Sequence, residues 1–198
     1  RTALNPMQGE LEMVRWLDSL NIGVYIAADN LRGEQLRETV RAIEASPHAH
    51  RFRVLAGIDL SDVGPGSGER IARQLEADLA AGAIGVGEVS KALGMSIRKA
   101  DGSRLAIDDP ELDPVWETLG RLGVPAFIHT ADPPEFWQPF DLTNERWLEL
   151  ALFPNRRAFE GVVPFEQLIT ERDNLFRRHP NTSFIAAHFG WHAHDLRR

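Results

Sequence analysis

The regular alternation of short apolar segments with amphipathic helical segments is the feature that most limits the fold of this sequence. We predict β-strands at residues 21–29, 53–60, 83–89, 124–130 and 182–188. Before each strand, apolar residues recur at intervals of three or four, which is typical of a helix with one buried face. Continuous apolar strands that alternate with helices indicate a parallel sheet covered on both sides, and therefore an α/β fold.

Two long segments interrupt this alternation. The first runs from Ser90 to Asp113. In a compact domain a segment of that length more often has a function than none, so we expect it to cover a site. The second segment, residues 131–147, contains Phe136, Trp137 and Phe140. These rings fit two interpretations equally well, the apolar wall of a substrate pocket and a small core of the loop itself.

Length and composition fit a single domain across residues 1–198, with 43% hydrophobic residues available for a core. The formal net charge of -7 argues against a nucleic-acid surface, and no apolar segment approaches the roughly 20 residues of a membrane-spanning helix. The absence of cysteine excludes thiolate metal ligands and agrees with a reducing compartment. We therefore expect a cytoplasmic protein that acts on a small molecule and has no nucleic-acid or membrane partner.

Each predicted strand has a polar residue in its last or next-to-last position, in chain order Asp29, Asp59, Glu88, His129 and His188. In parallel α/β sheets and barrels, reactive groups lie at the carboxyl ends of the strands, which share one open face. One histidine in such a position is more often structural. Two histidines on neighbouring strands instead indicate a metal centre, because imidazole and carboxylate are the ligands that a zinc-like cation accepts without thiolate. Such a cation would acidify a bound water to near neutrality.

The other polar strand ends allow more than one interpretation. Asp29 and Asp59 follow strands, where aspartate is more commonly a helix or turn cap than a ligand. Glu88 is costly in an otherwise apolar strand unless it is paired or binds a metal, so structural and functional roles are about equally supported. Lys91 follows three residues later and is predicted either to pair with Glu88 or to contact an anionic substrate.

From about Gly82 to Leu196 the sequence resembles the amidohydrolase-related group of TIM-barrel metal-dependent hydrolases, which includes the aminocarboxymuconate-semialdehyde decarboxylase-like enzymes. The resemblance is carried by GAIGVGEVSKALGMSIRKADGSRLAIDDPELDPVWE, VPAFIHTADPPEFWQPFD, NERW and ERDNLFRRHPNTSFIAAHFG. It implies that His129 is the metal ligand of the fifth barrel strand. It also implies that His188, from the sixth strand, either binds the metal or acts as acid and base beside it. Glu88 or Lys91 lies near the strand 4 position, where some relatives carry a bridging carboxylated lysine or a glutamate, and of the two Glu88 is favoured.

The same resemblance implies a (β/α)8 TIM barrel, of which this chain lacks the first and last strands. The family's opening HxH pair and its closing aspartate have no counterpart here, so we expect a partial barrel and an incomplete metal site. Exposed strand edges would favour association, and a homo-oligomer is therefore expected. His192 and His194 have the spacing of a metal-binding pair, but they follow a strand and are a weak signal.

Three functions follow from these features. The first is a metal-dependent hydrolase that cleaves an amide, an ester or a lactone with zinc, or with manganese or iron, and has Lys91 and Trp137 at its substrate. The second is a metal-dependent nonoxidative decarboxylase, which an arginine holding the departing carboxylate would favour. The third is a noncatalytic barrel remnant with a binding role.

Overall fold

A single five-stranded parallel sheet is the central element of the computed structural model, which describes residues 6–158 and 161–191. Its strands are β1 (Tyr25–Leu31), β2 (Phe52–Ala56), β3 (Val86–Val89), β4 (Ala126–Ile128) and β5 (Phe184–Ala186). They lie side by side in chain order, and every neighbouring pair is parallel. The five predicted strands are therefore confirmed, although the hydrogen-bonded ladders are shorter than the apolar segments.

Helices connect the strands. They are α1 (Pro6–Ser19), α2 (Gly33–Glu44), α3 (Ser67–Ala80), α4 (Ala92–Met95), α5 (Asp113–Leu122), α6 (Trp147–Leu152) and α7 (Phe165–Arg178). Strand order that follows chain order, with a helix in each crossover, is the arrangement of successive β/α units in a barrel.

The core lies between the sheet and the apolar faces of its helices. Leu36, Leu75, Leu119 and Leu168 are almost completely buried, one from each of α2, α3, α5 and α7. They meet the buried side of the strands in one continuous hydrophobic cluster. Gly123 ends α5 with a left-handed backbone (φ 67°), which glycine adopts without the steric cost of a Cβ, and the chain turns there into β4. This packing fixes where each strand ends.

The long segment between β3 and α5 is part of this core. Its apolar side chains Leu93, Leu105 and Ile107 are each no more than 1% exposed. A buried ion pair between Arg104 and Glu171 ties the segment to α7, and the Glu171 carboxylate also accepts a hydrogen bond from the backbone N–H of Ile107 (3.1 Å). The segment therefore belongs to the main hydrophobic cluster and has a fixed attachment to α7.

The sheet is open at both edges. Within the described ranges, β1 pairs only with β2 and β5 pairs only with β4. Apolar side chains remain exposed at both edges, including Ile26 (49%) on β1 and Ile185 (51%) on β5. The observed architecture is that of a barrel segment. No helix in the described part of the chain has the length and apolar character needed to cross a bilayer.

Candidate active site

Three of the residues predicted for the site lie at the carboxyl ends of neighbouring strands. Glu88 is in β3, His129 follows β4 directly, and His188 lies just beyond β5. The backbone N–H of His129 donates to the carbonyl of Val89 (3.0 Å), which continues the β3–β4 ladder past the end of the strand. Because the strands are parallel and adjacent, the sheet brings these three side chains to one edge, as the sequence predicted.

His129 and Glu88 form the central contact of the site. The Nδ1 atom of His129 lies 2.7 Å from Oε1 of Glu88, and both side chains are partly buried. A carboxylate only accepts hydrogen bonds, so an ionised Glu88 requires the proton of a neutral imidazole to be on Nδ1. The lone pair of His129 then lies on Nε2. A carboxylate behind a histidine in this way is the usual arrangement around metal-binding imidazoles.

The His188 ring lies against His129, with ring centroids 4.6 Å apart and an interplanar angle of 63°. His188 also stacks on the indole of Trp191 (4.7 Å, 22°). The indole N–H of Trp191 donates to the carbonyl of Thr130 (2.6 Å), one residue after His129. The turn that carries His188 is therefore fastened to the strand end that carries His129.

This turn has a left-handed backbone from His188 to Trp191, with φ between 54° and 61°. The buried guanidinium of Arg172 donates to the carbonyl of Gly190 (2.6 Å), and a Cβ at position 190 would lie 2.8 Å from Arg172 Nη1, so the guanidinium would have to shift. Glycine therefore suits position 190 through both its backbone and its lack of a side chain. Helix α7, which carries Arg172, fixes the position of His188 through this contact.

His129 Nε2 is a buried atom that has no hydrogen-bond partner among the described residues. An unsatisfied buried nitrogen is costly, and it is the free donor atom that a metal-binding imidazole needs. His129 and the adjacent His188 therefore fit part of the ligand set of a divalent cation. No group of three or more His, Asp or Glu side chains within residues 6–158 and 161–191 is arranged to hold a metal by itself.

Lys91 contacts Asp132 and not Glu88. The Lys91 ammonium forms a short ion pair with the Asp132 carboxylate, which is the less exposed of the two groups. Lys91 lies three residues after Glu88 and Asp132 lies three residues after His129, so the pair extends the Glu88 and His129 contact into the loops. Lys91 therefore pairs with a carboxylate, but with that of Asp132 and not with that of Glu88, which was the predicted partner.

Lys91 and Trp137 line one cavity of about 440 Å³, next to these loops. The Trp137 indole N–H donates to the carbonyl of Val163 (2.9 Å), and its ring packs against Phe165 with centroids 5.6 Å apart. Phe136 is buried and also lines the cavity. The aromatic loop therefore forms one wall of the cavity, and its Trp137 packs on the start of α7 and not within the loop itself.

Among the described residues, the weaker candidates Asp29 and Asp59 form no hydrogen bond or ion pair with His129 or His188. Asp59 accepts hydrogen bonds from the backbone N–H and the hydroxyl of Ser61 (3.1 and 2.7 Å), which lower its pKa, and this is the turn-capping role predicted for it. Asp29 lies within β1 as an exposed residue. His192 and His194 lie outside the described residues.

Comparison with known proteins identifies the family. The sequence profile of the amidohydrolase family matches residues 28–197. This chain belongs to the amidohydrolase family. The match covers the last part of β1, the other four strands and both histidines of the site, so the resemblance and the TIM-barrel fold are confirmed. No curated protein sequence gives a match of comparable significance.

Solved structures agree with this assignment at the level of the fold. The chain is similar to a dihydroxybenzoic acid decarboxylase from Polaromonas sp. JS666 with bound manganese (TM-score 0.55, 20% identity, 94% of this chain and 57% of that one). It is also similar to a 5-carboxyvanillate decarboxylase from Novosphingobium aromaticivorans complexed with manganese, with a TM-score of 0.53 and 15% identity over 96% of this chain and 55% of that one. A third similar structure is an amidohydrolase from Mycobacterium avium subsp. paratuberculosis K-10, with a TM-score of 0.51 and 17% identity over 95% of this chain and 50% of that one. The amidohydrolase chain described here spans about half the length of these structures.

Three residues at or beside this site were not predicted from the sequence. Asp132 could have been found from its offset, because it follows His129 by as many residues as Lys91 follows Glu88 on the neighbouring strand. Trp191 carries no such signal, since its contact with Thr130 depends on the course of the left-handed turn. Arg157 lines the cavity from a distant loop, and only the folded chain brings it there.

Proposed function

We propose that this amidohydrolase is a metal-dependent hydrolase that cleaves an amide, an ester or a lactone in a small-molecule substrate. Zinc is the first candidate for the cation, with manganese or iron as alternatives. One observation supports the proposal above the others: His129 Nε2 is buried and unpaired, while Nδ1 of the same ring contacts Glu88. His129 would hold the cation, with His188 and Glu88 as the further candidate ligands.

A divalent cation in this position would act as a Lewis acid and lower the pKa of a water molecule. The residues of the chain supply the remaining functions. Glu88 keeps the His129 proton on Nδ1 and so keeps Nε2 available. His188 has an exposed ring beside His129, so one of its nitrogens can accept a proton from the attacking water and return it to the leaving group.

Metal analysis of the full-length protein tests this proposal. We expect about one equivalent of zinc, manganese or iron per chain in the wild type and its loss in His129→Ala, because the substitution removes the only unpaired nitrogen of that ring. His50→Ala is the matched control, since His50 is an exposed histidine just before β2, at the amino edge of the sheet. A wild type that holds no metal after reconstitution would favour the noncatalytic remnant.

A metal-dependent decarboxylase is the second candidate. It is favoured by the cationic side chains Lys91, Arg156 and Arg157 that line the cavity beside the site, since a carboxylate substrate needs such groups. In this reaction the carbon–carbon bond to the carboxylate breaks, carbon dioxide leaves, and a proton replaces it on carbon. Release of carbon dioxide during turnover would support this candidate, whereas formation of a new carboxylate without gas would support hydrolysis.

A further inference from the structure

A cavity of about 450 Å³ lies at the carboxyl ends of β1 and β2, away from the histidine pair. Arg32 and Gly33 line it where β1 ends and α2 begins, and Gly57 and Asp59 line it just past β2. Helix α3 forms the remaining wall. Strand β3 lies between β2 and β4, and neither histidine of the candidate site lines this cavity. Its volume falls within the range of small-molecule sites, so it is a second place where the chain can hold a ligand.

Three guanidinium groups line this cavity, and only one of them has a carboxylate partner. Arg32 pairs with Asp59 (3.5 Å), which is the single acidic residue of the lining within the described chain. Arg70 and Arg73 belong to none of the ion pairs among the described residues. The lining therefore carries two positive charges without a carboxylate partner.

A further carboxylate, that of Asp78, lies behind the lining and has its own hydrogen-bond donors. Asp78 is fully buried and accepts hydrogen bonds from the backbone N–H of Gly33 (3.0 Å) and from the side-chain amide of Gln74 (3.0 Å). Both donors line the cavity, so Asp78 fastens the start of α2 to α3. Even with Asp78 counted, three guanidinium groups exceed two carboxylates.

The arginines reach the cavity from two different elements. The hydrogen bonds of its turn lower the pKa of Asp59 most, and the positive charges of Arg32, at the end of β1, and of Arg70, on α3, lower it further. The Arg70 guanidinium also donates to the backbone carbonyl of Asp62 (3.1 Å), which holds it near the cavity. Arg73 follows Arg70 by three residues and so lies on the same face of α3.

A phosphate group fits this combination of charges and donors. Its dianion matches two unpaired guanidinium groups, and the planar guanidinium binds phosphate oxygens through parallel N–H groups. Helix α2 begins at the same cavity, so the positive end of its dipole adds to the field. The buried side chains Ile71 and Leu75 supply an apolar surface for the rest of a small molecule. We propose that this cavity binds a phosphate group, and that Arg32, Arg70 and Arg73 hold it.

Titration calorimetry with inorganic phosphate on the full-length protein, at low ionic strength, tests the proposal. We expect phosphate to bind the wild type, and acetate, which has a single charge, to bind about tenfold or more weakly. Arg70→Gln and Arg73→Gln should each weaken phosphate binding about tenfold or more, because each removes charge-assisted hydrogen bonds. Arg121→Gln is the matched control, because Arg121 is exposed on α5, pairs with Glu76 and does not line the cavity.

Asp59→Asn should change the affinity in the opposite direction. The substitution removes the carboxylate of the lining and frees Arg32, so phosphate binding should become several-fold tighter, which a general loss of structure would not produce. Unchanged or weaker binding in this variant would contradict the role of Arg32.

Glycerol 3-phosphate, with glycerol as its neutral counterpart, distinguishes two sources of the phosphate group. Tighter binding of glycerol 3-phosphate than of inorganic phosphate would identify the ligand as a phosphorylated small molecule. Equal or weaker binding would identify it as free phosphate. Glycerol itself should not bind, because it lacks the charge that the arginines recognise.

Three results would overturn the proposal: no binding of phosphate, equal binding of acetate, or unchanged binding in both arginine variants. His129→Ala separates this cavity from the candidate metal centre, since a bound cation also attracts phosphate. Phosphate binding that is kept in His129→Ala and weakened in the arginine variants supports the cavity site. Phosphate binding that is lost in His129→Ala and kept in the arginine variants places the anion at the metal position and overturns the proposal.

Discussion

At the scale of single residues, the contact between Glu88 and His129 raises the question of which of two roles Glu88 has. It either positions the His129 ring or binds the metal directly. Glu88→Gln keeps the size of the side chain and an acceptor oxygen, but it removes the negative charge that favours the proton on His129 Nδ1. If Glu88 acts through His129, we expect metal affinity to fall about ten- to a hundredfold while stoichiometry is kept. Competition with a chelator measures the affinity, and elemental analysis measures the stoichiometry.

Complete loss of metal in Glu88→Gln would contradict this positioning role and make Glu88 a direct ligand, as the family resemblance implies. Asp59→Asn is the control, because Asp59 is a carboxylate at the end of the neighbouring strand that caps a turn at Ser61. Its metal content should equal that of the wild type. The comparison therefore distinguishes a change at His129 from a general effect of removing one charge at this edge of the sheet.

At the scale of elements, the ion pair between Arg104 and Glu171 links the long segment after β3 to α7. Burial raises the pKa of Glu171, but hydrogen bonds from Arg104, Gln167 and the backbone of Ile107 outweigh it and hold that pKa below its usual value. A carboxyl group with a lowered folded-state pKa stabilises the fold above its unfolded-state pKa. This contribution is lost as the pH falls through the folded-state pKa.

Glu171→Gln should therefore lower the free energy of unfolding at pH 7 by about 2–4 kcal/mol, because it leaves the mostly buried Arg104 without its counter-charge. The difference from the wild type should begin to shrink below a pH of about 4, the usual range of a glutamate pKa, and should vanish only below the lowered folded-state pKa, where the wild-type carboxyl group is also protonated. Urea unfolding at both pH values measures it. Glu117→Gln, at an exposed position of α5, should leave stability unchanged; an equal loss in both variants would refute the role of this pair.

The same elements show what the sequence could predict. Periodicity located all five strands, because a strand covered by helices on both sides needs a continuous apolar segment. It overestimated their length: the segment 124–130 contains only the three residues Ala126–Ile128 in strand conformation, since hydrogen bonding to a neighbour decides where a ladder ends. The position of His129 and His188 followed from the strand order. The pairing of Lys91 with Asp132 was not predicted, because Asp132 follows the neighbouring strand and is not close to Lys91 along the chain.

At the scale of the whole molecule, the open sheet leaves apolar surface at both edges. Ile26 on β1, Ile185 on β5 and Phe189 beyond it are 49%, 51% and 87% exposed, and each edge strand has unpaired backbone groups on one side. Such edges are templates for pairing with another strand. We therefore expect the 198-residue chain, produced by itself, to associate in solution through these edges.

Light scattering across a concentration series measures this association. A mass that rises above the 22.2 kDa of one chain is the expected result, and Ile26→Lys should lower it, because a charge on an edge strand opposes pairing. Leu142→Lys adds the same charge at a residue that is 84% exposed in a loop away from β1, so it should leave the mass unchanged. A chain that stays monomeric at every concentration, with its helical and strand content intact by circular dichroism, would contradict association through the edges. Equal effects of the two lysine substitutions would instead attribute the association to net charge, since both variants change it by the same amount.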